Sequence, residues 1–145
     1  SYGTEFETCK GSFKLVNGDL LFKLPSKRIL SFPNAKIQPS DRGVELVYEG
    51  MNNHIHKWGQ IKAYGGSLVQ SITQAVARDI LAEAVLRLED ANYPVVLHVH
   101  DEIIADVPND HGSLAEFEAL MCELPEWAKG LPVTAEGYES KRYRK

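Results

Sequence analysis

The chain has 145 residues, 43% of them hydrophobic and 25% charged, with a formal net charge of −4. That composition suits one globular domain with a modest core. No apolar run approaches the length of a membrane span and no charged-then-apolar leader is present, so a soluble cytoplasmic protein is expected, with no membrane partner. Cys9 and Cys122 are the only cysteines and lie far apart, which argues against both a disulfide framework and a thiolate metal site. The charge is segregated. Lys/Arg against Asp/Glu number 8 and 6 over residues 1–60, 4 and 14 over 61–140, and 4 and 0 over 141–145. A polyanion would be repelled by the middle section unless cations bind there.

Residues 1–12 are polar and mixed, and are expected to be flexible; Ser1 in place of Met implies processing or a cut piece. Residues 13–62 read as β-hairpins. Phe13 to Val16 and Leu20 to Leu24 flank Asn17-Gly18, the dipeptide that supplies positive φ at both centres of a type I′ turn. Pro25 to Arg28 turns into Ile29 to Phe32, Pro33-Asn34 turns again, and Ala35 to Gln38 leads through Pro39-Ser40-Asp41 to Val44 to Tyr48. Gly50 to Trp58 reads as a polar loop. It contains His54-x-His56, which on a strand would aim both rings to one side but has no third ligand nearby.

A long helix follows Gly65-Gly66, where Ser67 can cap. Leu68, Ile72, Val76, Ile80, Ala84 and Leu88 keep one face apolar, while Gln70, Gln74 and Arg78 fall four residues apart and line a second face flanked by Ala75 and Ala77. Asn92-Tyr93-Pro94 ends it, since proline disfavours helical geometry in the residue before. Val95 to Val99 and Ile103 to Val107 then read as two β-branched runs with a tight turn between them, placing Asp101 at or beside a hairpin tip. His98-x-His100 beside Asp101 is a zinc-like string, but a strand offers at most two ligands where zinc needs three. Ser113-x-x-Glu116 is a capping box opening a helix that buries Leu114, Phe117, Leu120, Met121 and Leu124. Pro132 to Tyr138 looks like a last strand, joining the hairpin as a third.

His100-Asp101-Glu102 between two apolar strands, after a helix carrying Gln70, Gln74 and Arg78, resembles the C-terminal part of family A DNA polymerases, of the bacterial polymerase I and phage type. Leu24-Pro25-Ser26-Lys27-Arg28 resembles the phage members' Leu-Pro-Ser-Gly-Arg, with Lys27 in place of the glycine, and Phe32 to Ala35, Ala63 to Gly66 and the closing Lys141 to Lys145 also match. The resemblance implies an α+β fold: an antiparallel palm-type sheet with a long packed helix, a second helix near the C-terminus, and the N-terminal β-hairpins. Residues 63–140 would be the palm core with motif C and 141–145 a basic tail near nucleic acid, with 13–145 as one unit.

It further implies that Asp101 is a catalytic magnesium ligand, Glu102 a secondary metal-site carboxylate and His100 a support near the primer terminus. Gln70, Gln74 and Arg78 would follow the minor groove of primer–template DNA. Arg28 and Lys27 read either as contacts to a phosphate backbone or as a solvated turn. A two-metal site needs carboxylates from different strands, and in the family the second Asp comes from motif A. Neither motif A nor the fingers pattern Lys-x-x-x-aromatic-Gly-x-x-Tyr-Gly occurs here. The expectation is therefore half of a Mg2+-dependent nucleotidyl-transfer site, in a phage-infected or prophage-carrying bacterial host, inactive until an N-terminal polymerase portion supplies the rest. Self-association through uncovered palm surface is also expected. The alternatives are a non-catalytic primer–template or replisome binding module, which the absence of Lys/Arg from residues 63–77 disfavours, and a small metal-dependent hydrolase resting on His98-x-His100-Asp101.

Overall fold

The structure is a computed structural model that describes residues 5–8, 10–41, 43–52 and 56–143. It is α+β, with three small antiparallel sheets and two α-helices, one of them long. In chain order the strands of the first sheet are β1 (Glu5–Thr8), β2 (Gly11–Val16), β3 (Asp19–Lys23) and β4 (Ile29–Phe32). Those of the second are β5 (Lys36–Ser40), β6 (Gly43–Asn52) and β7 (Lys57–Ala63). Helix α1 (Gly65–Asp90) precedes the two-stranded sheet of β8 (Val95–Val99) and β9 (Glu102–Ala105), and α2 (Leu114–Cys122) and a short 3₁₀ turn (Glu126–Ala128) follow. The chain divides into two compact units, Ser1–Val76 and Ala77–Lys145, with α1 contributing to both.

The first unit is organised by aromatic residues at alternate strand positions. Phe13 pairs with Phe22 across β2 and β3, and Phe22 with Leu30 across β3 and β4, so these three share one sheet face. Leu20 and Phe32 form the neighbouring pair. Against this face pack Leu68, Ile72, Ala75 and Val76 of the first turns of α1, together with Tyr48. The Phe13 and Phe22 rings lie 4.5 Å apart and tilted, and Phe32 meets Tyr48 edge-on at 5.1 Å. Each buried phenylalanine contributes about 1.5–3 kcal/mol. Ala75 lies in this core, not beside the polar stripe where the sequence placed it; its small side chain lets the helix approach Phe22 and Phe32. Ala77 is exposed as expected.

Three loops show how backbone chemistry sets the register. Asn17 and Gly18 both hold positive φ, 52° and 93°, as a type I′ turn requires. Between β3 and β4 the loop of Pro25, Ser26 and Lys27 is closed by Lys27 N–H donating to Leu24 O and Leu24 N–H to Arg28 O. Lys27 sits at φ 72°, the left-handed region that glycine favours. The lysine thus holds a glycine-like conformation, and the flanking pairs fix it. At Gly11 the constraint is space: a Cβ would stand 2.4 Å from Phe22 Cζ.

The second sheet departs from the sequence reading. β6 runs on to Asn52, and Lys57–Ala63, read as loop and lead-in, is a full strand paired with it from Leu46↔Ala63 to Asn52↔Lys57. Gly59 and three polar residues gave it little β signal; cross-strand pairing to β6 supplies what local propensity lacks. Glu45 accepts hydrogen bonds from Lys62 Nζ at 2.9 Å and Gln38 Nε2 at 2.7 Å, which hold its carboxyl below the usual range. His54 lies outside the described residues, and His56 occupies a turn at φ 49° ahead of β7. β1 pairs with β2, so the first sheet starts earlier than residue 13.

α1 begins with the Ser67 hydroxyl reaching back to the Tyr64 backbone, accepting from its N–H at 2.9 Å and donating to its carbonyl at 2.8 Å. Ser67 therefore caps from inside the first turn, three residues after the capped amide. In the second unit Ile80, Ala84 and Leu88 are buried along the expected stripe. The helix ends in a Schellman motif: Asn92 is left-handed at φ 62°, its N–H donates to Glu89 O, and Tyr93 N–H donates to Leu88 O.

Tyr93 is buried. Its hydroxyl accepts from Ser113 N–H at 3.1 Å and donates to Glu116 Oε2 at 2.6 Å, while Ser113 Oγ caps Glu116 N–H at 3.2 Å. The phenol is thus inserted into the capping box. At the other end of α2, Arg87 donates to the Leu120 and Glu123 carbonyls, two of the acceptors that a helix C-terminus leaves unpaired.

β8 and β9 form the expected hairpin, with a bulge between Val95 and Leu97 and a two-residue loop, His100-Asp101. His100 holds φ 53°. The anticipated third strand does not form. Residues 131–140 carry no strand pairing, because Pro132 lacks an N–H and Gly137 turns its N–H to Glu118 Oε1 at 2.7 Å, beside α2.

These features predict opposite responses to substitution. Gly11→Ala should destabilise by about 1–3 kcal/mol through overpacking against Phe22, measured by chemical denaturation. Lys27→Gly and His100→Gly should each stabilise by about 0.5–1 kcal/mol, the left-handed strain removed less the entropy glycine loses. A loss at either position would show that its positive φ costs less than the entropy glycine gives up.

Candidate functional site

The β8–β9 hairpin tip gathers the residues that carry chemistry in the second unit. Asp101 is the second loop residue and Glu102 the first of β9, paired with Val99, and both are exposed. They are carboxylates displayed at a bend, with hard oxygen donors suited to Mg2+ or another oxygen-seeking cation. Among the described residues no group of three His, Cys, Asp or Glu side chains converges on one point.

The tip is held from its base. Val95 N–H donates to Glu89 Oε1 at 2.6 Å, tying the start of β8 to the last turn of α1, and Asp106 N–H donates to Pro94 O at 3.1 Å. Strain concentrates at the tip, where His100 adopts a backbone conformation that non-glycine residues seldom hold. The His100 and His98 side chains are exposed, as are Val96 and Leu97 beside them.

Glu102 has a partner that the sequence did not suggest. The Tyr143 hydroxyl donates to Glu102 Oε2 at 3.3 Å, across 41 positions. Partial desolvation and the adjoining Glu102 charge push the Tyr143 phenol above its ordinary pKa. A tyrosine among four cations in the closing segment was the available signal, and it was read as part of a basic tail.

Gln70, Gln74 and Arg78 are all exposed and follow one another at four-residue intervals along α1. No Lys or Arg interrupts residues 63–77, so the stripe offers amide donors and acceptors in place of charge until Arg78. Arg28 is half-buried, and its Nη2 donates to the Ala75 carbonyl at 3.0 Å. At least one face of that guanidinium ties the β3–β4 loop to the helix.

No helix among the described residues is long and apolar enough to cross a membrane. No protein-family profile and no solved structure matches the chain. Over 136 residues, 92% of its length, it is 45% identical to the DNA polymerase of Bacillus phage SP02, of which it spans 21%. The chain is therefore similar to about a fifth of a phage DNA polymerase, across both compact units.

Proposed function

We propose that this chain is the C-terminal, palm-bearing part of a family A DNA polymerase and supplies half of a two-metal nucleotidyl-transfer site. The supporting observation is the conjunction of 45% identity to a phage DNA polymerase with an exposed Asp101-Glu102 pair at a hairpin tip. Two adjacent carboxylates supply hard oxygen donors, and the remaining donors of such a site would come from another palm strand. Asp101 ligates Mg2+, Glu102 assists, and His100 braces the primer end. When bound, the metal pair would stabilise the charge on the attacking and leaving oxygens of an in-line displacement.

Gln70, Gln74 and Arg78 lie along the primer–template minor groove. There the side-chain amide and guanidinium N–H groups would donate to the base-edge acceptors common to all pairs and check shape more than sequence. Motif A and the fingers pattern do not occur in the 145 residues, and on this reading a polymerase portion carrying them would complete the site. The acidic balance of residues 61–140 favours this catalytic reading over a free-standing DNA-binding module, because phosphate would be repelled until cations load.

Primer extension by the chain mixed with such a companion tests the reading. Asp101→Ala should lower the rate by on the order of 100- to 1,000-fold, a loss of several kcal/mol of charge stabilisation. An undiminished rate would remove Asp101 from the mechanism. In a salt titration of duplex binding by the chain alone, weak binding is expected. Tight binding with a steep salt slope would instead support the non-catalytic module.

A further inference from the structure

Glu102 has the long, flexible side chain that costs most to hold in one conformation, and it stands exposed at the first position of β9. The segment that reaches it has no helix or strand of its own from Leu131 to Tyr143, yet hydrogen bonds hold it. Gly137 N–H donates to Glu118 Oε1 at 2.7 Å, where a Cβ would stand 3.0 Å from Leu114 Cδ1, so the backbone passes close against α2. Six residues later Tyr143, with half its surface covered, donates to Glu102 Oε2.

The donor's chemistry matters as much as its position. Tyr143 lies in the basic stretch Lys141-Arg142-Tyr143-Arg144-Lys145, and the side chain that the described residues bring to the carboxylate is a neutral one. A guanidinium or ammonium in its place would pair with the carboxylate and compete with an incoming cation. A phenol orients one oxygen and leaves the negative charge intact.

We infer that Tyr143 is a positioning residue for the Glu102 carboxylate, restraining its direction for a divalent cation without neutralising it. This rests on the metal-dependent nucleotidyl-transfer reading. At 3.3 Å the bond is long for an O–H···O contact. Its effect is on the orientation of Glu102, and a modest one.

The test is the Mg2+ dependence of primer extension by the chain with its companion polymerase portion. Tyr143→Phe should raise the Mg2+ concentration giving half-maximal rate by about 3- to 10-fold, with primer–template affinity unchanged. Tyr143→Lys should raise it further, since the new ammonium competes with the metal, and saturating Mg2+ should restore much of the rate. In a Glu102→Gln background the three residues at position 143 should become equivalent. A general folding defect would instead lower the rate at every Mg2+ concentration and persist in that background. If the unsubstituted complex extends primers and Tyr143→Phe leaves the Mg2+ profile unchanged, the positioning role is overturned and the polymerase reading stands. If the unsubstituted complex extends at no Mg2+ concentration, the polymerase reading falls and the role falls with it.

Discussion

The second unit depends on one phenol. Tyr93 is the residue after the left-handed cap of α1, it precedes Pro94, and β8 begins two positions on, so whatever fixes Tyr93 fixes where the hairpin starts. Its ring meets His111 and Phe117 edge-on at 4.9 and 5.3 Å, and its hydroxyl sits between the amide and the carboxylate that open α2. The Glu116 carboxylate pushes the phenol above its ordinary pKa, keeping it a donor. A single side chain thereby serves the end of one helix, the start of another and the root of the ribbon between them. Arg87 closes the arrangement from the opposite side by satisfying the far end of α2.

The features legible in the sequence are those written in adjacent residues. Asn17-Gly18 announces its turn because few other dipeptides tolerate positive φ twice. Ser113 and Glu116 announce the second helix by offering a cap, and the spacing of Ile80, Ala84 and Leu88 announces the buried face of the first. What stayed hidden is written in residues far apart. β7 is a strand because β6 pairs with it, although Gly59, Gln60 and Lys62 argue weakly for one alone. Pro132 to Tyr138 has the look of a strand, but its edge lacks a donor at Pro132 and its glycine amide is claimed by Glu118. Ala75 counted as a small neighbour of the polar stripe because helical periodicity cannot say how wide the buried face is; Phe22 and Phe32 decide that.

The candidate site divides the same way. Asp101 at a bend could be read from two β-branched runs and the residues between them, and the hairpin pairing places it there. Lys27 could be read as standing where a glycine would be expected, while its retention of a glycine-like φ could not. The roles expected of Gln70, Gln74 and Arg78 come from resemblance; the structure shows the three exposed along one helix. Tyr143 was out of reach, since nothing in a basic tail says which of its members turns toward a carboxylate.

The irregularity in β8 has its own consequence. Five residues of that strand face four of β9, and the surplus is taken up at Val96. A ribbon with an odd residue on one side has an index mark: it cannot slip by a single step without relocating the bulge and reversing every side chain beyond it. Which residue crowns the ribbon is thereby decided several ångströms below the crown. Shifted by one, the histidine would leave the apex and the aspartate would be drawn toward the ladder, so which acid is displayed depends on where the extra residue of β8 is accommodated.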